Sequence, residues 1–294
     1  MKRTILELLS RTYDEWRADG APQIAAALTY YVFLSLAPML VLTVNVIGRY
    51  LGRATVTDRV LEQAQALAGP AGAGIVSELV AAAQPGTFGT VASVVALLIA
   101  LFGSMRLFAQ LRIAFDRMWN IPRAEAPIGI DVWTSVKWGL SSFGRDNLAA
   151  FLMVIAVGAL LVASLALSSA LTLAGGAIAP RLRIDASWLH VAEYALSVGL
   201  ITVLFALVYR VLPRTPVGWK DVWVGAMITA LLFTLGRALL GVYFSHASPG
   251  SAYGAAGSVV AFLIWANMSL QLMLFGAEFT HVWTYTHGSR AEDS

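Results

Sequence analysis

The most specific chemical pattern in the sequence is a polar stripe near its C-terminal end. Asn267, Gln271 and Glu278 are spaced so that a helix places their side chains on one face of an otherwise apolar run. An ionisable side chain within an apolar helix faces a partner or a polar cavity rather than lipid. We therefore expect these residues to line the inner half of a polar path. An earlier apolar run supplies further candidates for this path: Tyr30, Ser35 and Asn45.

A second candidate is the pair formed by Glu193 and Arg237. Each residue lies about two turns inside a predicted helix, roughly 9 to 10 Å from the outer surface. The two side chains pair if their helices touch. Such a pair either links the two helices structurally or gates or lines an outward-facing cavity. The sequence leaves both interpretations open.

Three arginines follow or end apolar runs on one side of the chain: Arg106, Arg117 and Arg210. Clustered basic side chains at a membrane surface attract anionic lipid head groups. The same residues also fix the orientation of a membrane protein. We expect them either to contact head groups or to act as topological anchors.

Proline and small residues mark candidate hinges and packing points. Pro38 removes a backbone hydrogen bond within an apolar helix, which predicts a kink that acts as a hinge or as a packing feature. Tyr253, Gly254 and Gly257 belong to a segment of small residues that opens the last apolar run. Small residues let helices approach closely, so we expect helix packing there.

The sequence lacks the residue groups that most enzymes need. It contains no Cys, which excludes thiolate metal sites, disulfides and cysteine nucleophiles. The four histidines, His190, His246, His281 and His287, are scattered and predict no metal-ligand cluster. P-loop and GxSxG motifs are absent. The basic residues do not form a stripe with interleaved aromatics, which argues against nucleic acid. We expect no enzyme activity and no cofactor.

The elements that must position these residues are membrane helices. Apolar residues make up 58% of the 294 residues and charged residues only 13%, whereas a soluble protein carries about 25% charged residues. Charge-free runs of 29, 27 and 34 residues follow Asp19, Glu78 and Asp146. Each run is long enough for one spanning helix. A longer run from Ala238 is broken by a turn at Pro249.

These patterns predict an all-α polytopic membrane protein with one membrane domain. Its six spans are predicted at about 24–48, 87–108, 147–171, 188–211, 220–244 and 256–280. Residues 1–23 read as an amphipathic surface helix and not as a cleavable signal. Residues 57–83 read as two short external helices around a GPAGAG break, and residues 281–294 as a tail.

The distribution of basic residues predicts the orientation. Of the 20 Lys and Arg residues, 14 fall on the side that holds both termini and 6 on the other. Positively charged loops remain in the cytoplasm. We expect both termini to be cytoplasmic.

With these residues in view, the chain resembles the YihY/BrkB family of bacterial inner-membrane proteins, once labelled ribonuclease BN. The resemblance covers nearly the whole chain and lies in the segments AAALTYYVFLSLAPML, GSMRLFAQLRIAFDRMWNIPR, YRVLPRTPVGWKDVWVGA and SAYGAAGSVVAFLIWANMSLQLMLFGAEFTHVW. It implies six helices in the cytoplasmic membrane and a role in handling lipid or glycolipid of the envelope. The resemblance also indicates Tyr253–Ser258 and Gly276–Glu278 as the first candidate positions for a functional site.

Three functional hypotheses follow. In the first, the protein holds or moves a lipid-like amphiphile, and membrane lipids are its partners. Periplasmic lipid-bridging proteins or envelope proteins are further partners compatible with this hypothesis. In the second, protonation of Glu278 drives transport of a small solute. In the third, the protein is a scaffold that recruits envelope proteins and transports nothing.

Overall fold

The computed structural model describes residues 5–82, 107, 110–121, 186–213, 217–246 and 257–288. In these parts of the chain the regular structure is helical, and no strand occurs among them. The helices are α1 (Ile5–Ala18), α2 (Ala21–Leu51), α3 (Arg53–Ala82), α4 (Ala186–Val211), α5 (Trp219–His246) and α6 (Gly257–Thr286). Residues 110–118 form a further helical stretch. The predicted all-α class is confirmed for these residues.

Within the described parts of the chain, three helices are long and apolar enough to cross a membrane. Their candidate spans are Tyr194–Val211 in α4, Trp219–Phe244 in α5 and Gly257–Thr286 in α6. They coincide with the predicted spans 188–211, 220–244 and 256–280. Within α2, which covers the predicted first span, a shorter apolar helix runs over Ala21–Leu36. The predicted span 147–171, and the span 87–108 apart from residue 107, lie outside the described residues.

The last helix continues to Thr286, past the predicted end at 280. The threonine hydroxyl groups in this extension stay paired, because each bonds to a carbonyl oxygen of the preceding turn. Thr280 donates to Gly276 O at 2.7 Å and Thr284 donates to Thr280 O at 2.7 Å. The helix ends where the backbone N–H of Gly288 bonds to Trp283 O.

Three described glycines with positive φ lie at breaks between or within the N-terminal helices: Gly20, Gly52 and Gly69. Gly20, with φ of 70°, forms the turn between α1 and α2. Gly69, with φ of 64° and ψ of −158°, interrupts the helical path of α3. Glycine adopts such angles without steric cost. The predicted break within the external segment 57–83 is therefore present at Gly69. In contrast, α2 continues as one helix through Pro38, and the kink expected there stays a prediction.

The chain divides into two compact units. Unit 1 comprises Met1–Asp19, Phe115–Leu232 and Phe275–Ser294, and unit 2 comprises Gly20–Ala114 and Phe233–Leu274. In unit 1, Leu8 of α1 is buried against Phe279 and Val282 of α6, with residues of α5 packed around them. This contact fixes the N-terminal amphipathic helix on the end of α6.

Unit 2 has a core of its own. Ile75 of α3 packs with Phe262 and Ala266 of α6, and side chains of α2 complete the cluster. Near this core, Ser258 at the start of α6 donates a hydrogen bond of 2.8 Å to Glu78 of α3. Gly257 is buried, and the packing role predicted for Tyr253, Gly254 and Gly257 stays a prediction.

In the described part of unit 1, α5 and α6 make close contacts. A Cβ atom at Gly276 of α6 would overlap the hydroxyl groups of Thr229 and Tyr209, and one at Gly225 of α5 would overlap Thr280. Thr229 donates to Gly225 O at 2.7 Å and lies 2.9 Å from the Tyr209 hydroxyl. Since the single hydroxyl hydrogen of Thr229 is used, Tyr209 is the donor to Thr229. Glycine and threonine thus let the two backbones approach while every hydroxyl keeps a partner.

We predict that Gly276→Ala destabilises the protein by about 1 to 3 kcal/mol, because the added methyl group overpacks this contact. The matched control is Gly241→Ala in α5, where a Cβ meets no atom within 4 Å. That change should leave stability equal or slightly higher, since alanine favours a helix. The melting temperatures of the two purified variants and of the wild type in detergent measure both changes in stability. Equal melting temperatures for the two variants would contradict the packing.

Candidate functional site

A cluster of two carboxylates and one imidazole lies where α1 meets α6. We call it the Glu15–Glu278–His281 cluster. One potential ligand atom of each residue lies within 4.8 Å of the others. Nδ1 of His281 is 3.4 Å from Glu278 Oε1 and 3.8 Å from Glu15 Oε2. All three residues belong to unit 1.

Simple helix geometry brings these side chains together. Glu278 and His281 are three residues apart on α6 and therefore share a face. On α1, Glu15 follows the buried anchor Leu8 by two turns, so it lies on the side of α1 that faces α6. Arg11 Nε donates to Glu15 Oε1 at 2.6 Å and holds this carboxylate in place. The other oxygen of Glu15 is the one that faces His281.

Aromatic rings surround the cluster. The His281 ring makes edge-to-face contacts with Trp119 and Tyr285, with centroids 5.2 and 4.9 Å away. The Trp16 ring meets Phe275 of α6 edge-on, at 6.3 Å. The side chain of Glu278 is 0% exposed and that of His281 is 13% exposed. The cluster is thus largely withdrawn from solvent, with Glu15 on its open side.

Polar atoms at this site are incompletely satisfied. Among the residues that the structure describes, Glu278 Oε2 and the indole nitrogens of Trp16 and Trp119 are buried without a hydrogen-bond partner. A buried carboxylate oxygen without a partner is costly. The acidic groups Glu15 and Asp19 also act electrostatically on Glu278. Burial raises the pKa of the Asp19 carboxyl above its ordinary value, although the Arg117 guanidinium opposes this shift.

Unit 2 contains an apolar groove with a volume of about 770 Å³. We call it the α2–α6 groove, because most of its walls come from these helices. Its polar groups are Thr29, Tyr30 and Asn267. Its apolar lining is formed by Ala26, Phe33, Leu34, Leu240, Val260, Leu263, Ile264 and Met268. The groove therefore suits a long apolar ligand with a small polar group.

The polar stripe predicted from the sequence is divided between the two units. Gln271 Nε2 donates to Asn267 Oδ1 at 2.6 Å, and Asn267 shares the groove with Tyr30. Ser35 bonds to the backbone carbonyl of Val32 at 3.0 Å. Glu278 lies in the cluster of unit 1. The side chain of Asn45 lies outside the described residues, and one path that joins all these residues stays a prediction.

The structure describes the surroundings of some of the remaining predicted site residues and not of others. Arg210 donates to the backbone carbonyl of Val217 and lies over the Trp219 ring, 5.6 Å from its centroid. Arg117 is exposed. Glu193 lies in α4 and Arg237 in α5, but the Glu193 side chain is outside the described residues, so their pairing stays a prediction. Also outside these residues are Arg106, Tyr253, Gly254 and the side chain of Pro38.

Sequence reasoning did not find Glu15 and His281. The histidines gave no ligand motif, and Glu15 lies at the opposite end of the chain from Glu278. One available signal was the i, i+3 spacing of Glu278 and His281. Another was the apolar spacing of α1 around Leu8, which predicts a packed face but does not name the helix that it contacts.

Comparison with known proteins places the chain in a family. A sequence model of the family described as virulence factor BrkB matches residues 12–294. The chain belongs to the virulence factor BrkB family. The family resemblance predicted from the sequence segments is thus confirmed.

Curated relatives of this BrkB family chain are named only as membrane proteins. A UPF0761 membrane protein of Alcanivorax borkumensis is 27% identical over 273 residues, which is 92% of this chain and 58% of that protein. A UPF0761 membrane protein of Neisseria meningitidis serogroup B is 27% identical over 281 residues, 95% of this chain and 63% of that protein. This chain therefore spans less than two thirds of these relatives. No solved structure matches it significantly.

We predict that Leu8→Ala weakens the docking of α1 on α6, because it removes an anchor that is only 3% exposed. The loss should be about 2 to 5 kcal/mol, as for other buried leucines. Trypsin cleavage after Arg11 and Arg17 should then become faster. Leu6→Ala is the matched control, since Leu6 on the same helix is 74% exposed. Equal cleavage rates in both variants would argue against the docked helix.

Proposed function

We propose that this membrane protein binds a lipid-like amphiphile and moves it within or between membrane leaflets. The observation that carries the proposal is the α2–α6 groove, whose volume of about 770 Å³ lies within the usual range of about 300 to 1,000 Å³ for ligand sites. Its lining is mostly aliphatic and aromatic, which fits an acyl chain.

The polar groups of the groove fit the other end of such a ligand. Asn267 Oδ1 accepts the hydrogen bond from Gln271, so the NH₂ group of Asn267 is the donor that this side chain offers to an ester or head-group oxygen. The Thr29 hydroxyl already donates to Ala25 O at 2.7 Å. The groove thus supplies few polar contacts, which is typical of a site that takes a largely apolar ligand.

Family membership and composition support a lipid-facing role. Large apolar side chains of α5, among them Leu235 and Leu239, are more than half exposed at 57% and 60%. Such side chains are compatible with lipid and not with water. The resemblance to the YihY/BrkB family implies lipid or glycolipid handling in the envelope. We assign no catalytic role, and periplasmic lipid-bridging or envelope proteins remain proposed partners.

The proposed location is the bacterial inner membrane with both termini in the cytoplasm. The excess of Lys and Arg on that side supports this orientation. The packing of Leu8 against Phe279 and Val282 brings the N-terminal helix to the end of α6, as two termini on one side require. In this orientation Arg117 and Arg210 lie at the cytoplasmic surface, where anionic head groups are available.

The groove predicts a blocking mutation. Ala26→Phe should obstruct the groove and reduce transfer of labelled phospholipid between leaflets of liposomes towards the protein-free rate. Ala27→Phe is the matched control, because Ala27 is also an exposed residue of α2 and is not part of the groove lining. A photoactivatable acyl chain should crosslink to α2 and α6 in the wild type and less in Ala26→Phe.

Two results would contradict the proposal. Folded wild-type protein that transfers no phospholipid and forms no crosslink would favour a small-solute transporter or a scaffold. Transfer that is equally reduced by Ala26→Phe and Ala27→Phe would mean that the groove is not the lipid site.

The orientation can be tested with single cysteines, because the chain contains none. Ser10→Cys and His287→Cys should react with a membrane-impermeant maleimide only after the cells are permeabilised. Gln65→Cys in the predicted external segment should react in intact cells whose outer membrane alone is permeable. All three positions have exposed side chains. Labelling of Ser10→Cys in intact cells would reverse the proposed topology.

A further inference from the structure

We infer that the Glu15–Glu278–His281 cluster binds a divalent transition-metal cation of the zinc class. The ligands are one carboxylate oxygen each from Glu15 and Glu278 and Nδ1 of His281. These atoms lie within 4.8 Å of one another and come from two helices that pack together in unit 1. The inference concerns a site other than the α2–α6 groove and does not depend on the proposed lipid function.

The two distances from His281 are long for hydrogen bonds, while the carboxyl groups of Glu278 and Glu15 lie within hydrogen-bonding reach of each other. Nδ1 of His281 lies 3.4 Å from Glu278 Oε1 and 3.8 Å from Glu15 Oε2. A good N–H to O hydrogen bond has a donor to acceptor distance of about 2.7 to 3.2 Å. Two ligands about 2.1 Å from one tetrahedral zinc lie about 3.4 Å apart. A small inward movement of Glu15 would complete three-fold ligation.

Charge balance supports a cation at this position. Glu278 is fully buried, and its Oε2 has no hydrogen-bond partner among the described residues. Arg11 pairs with Glu15 and Arg117 acts on Asp19, so among the described contacts no guanidinium group is paired with Glu278 itself. An ionised carboxylate withdrawn from water requires a counter-charge or a metal. A divalent cation between Glu278, Glu15 and His281 supplies it.

The donor set selects the class of metal. Imidazole nitrogen is a poor ligand for Ca²⁺ and Mg²⁺, which prefer oxygen donors. One nitrogen and two carboxylate oxygens suit Zn²⁺, and also Fe²⁺ and Mn²⁺. With three protein ligands, a tetrahedral ion keeps one open position. Water or the phosphate oxygen of an anionic ligand can occupy that position.

Supporting groups already orient two of the three ligands, Glu15 and His281. Arg11 Nε donates to Glu15 Oε1, which leaves Oε2 as the oxygen turned towards His281. Trp119 and Tyr285 contact the His281 ring edge-on. Groups that fix ligand orientation in this way are a regular part of metal sites. The bound ion would also tie α1 to α6 and so raise the melting temperature of the protein.

Direct metal binding tests the inference on the purified full chain in detergent, after treatment with a chelator. Co²⁺ added alone should bind in one equivalent and give the visible absorption bands of a four-coordinate site. Zn²⁺ should displace it and raise the melting temperature, whereas Mg²⁺ at the same concentration should do neither. Glu278→Gln, His281→Ala and Glu15→Gln should each weaken Zn²⁺ binding at least about tenfold.

Matched variants separate the site from adventitious binding. His287→Ala removes an exposed histidine that follows the end of α6, and Glu62→Gln removes a glutamate that pairs with an arginine as Glu15 does. Both should bind Zn²⁺ like the wild type. Because Glu15 is 30% exposed, Glu15→Gln should fold even if the change at the buried Glu278 does not.

Two outcomes would overturn the inference. Folded wild-type protein that binds neither Co²⁺ nor Zn²⁺ would show that a proton or protein contacts alone balance the charges of the cluster. Zn²⁺ binding that is lost in His287→Ala but unchanged in Glu15→Gln and His281→Ala would place the metal elsewhere on the chain.

Discussion

The close approach of α5 and α6 is the constraint on which the described part of unit 1 depends. Gly225 and Gly276 leave no room for a side chain, and the threonines opposite them satisfy their own hydroxyl groups against backbone carbonyls. Helices in a membrane gain little from excluding water, so van der Waals contact and internal hydrogen bonds must hold them together. Gly276 lies two residues before Glu278, and the same contact therefore sets the position of the buried carboxylate.

The helix α1 completes the surroundings of the buried Glu278, where the carboxylates of Glu15 and Glu278 repel each other unless a proton or a cation lies between them. A carboxylate that is 0% exposed needs polar neighbours, and α6 alone offers only His281. The N-terminal helix adds Glu15, held by Arg11, while Leu8 provides the apolar contact that fixes α1 on α6. An amphipathic helix predicted to lie on the membrane surface thus also completes a polar site. The side of α1 that faces α6 carries both the apolar contact of Leu8 and the carboxylate of Glu15.

Much of the fold could be predicted from the sequence, because the relevant signals are local. The charge-free run after Asp19 located α2, the run from Ala238 located the end of α5 and most of α6, and a glycine-rich segment located the break in α3. The extension of α6 was harder, since Thr280, Thr284 and His281 reduce hydropathy without ending a helix. The cluster could not be predicted, because Glu15 and Glu278 meet only through tertiary packing. The groove likewise depends on which residues of α2 and α6 face each other.

The two candidate sites draw on one helix that changes character along its length. In its first half, α6 contributes Leu263, Ile264 and Asn267 to an apolar groove, and in its second half it contributes Glu278 and His281 to a polar cluster. A stripe of polar residues on a helix is therefore weak support for one continuous path. Asn267 and Gln271 satisfy each other, whereas Glu278 depends on a different helix. Loss of the carboxylate should thus affect ion binding and the docking of α1 before it affects the groove, so that the two chemistries are separable by mutation.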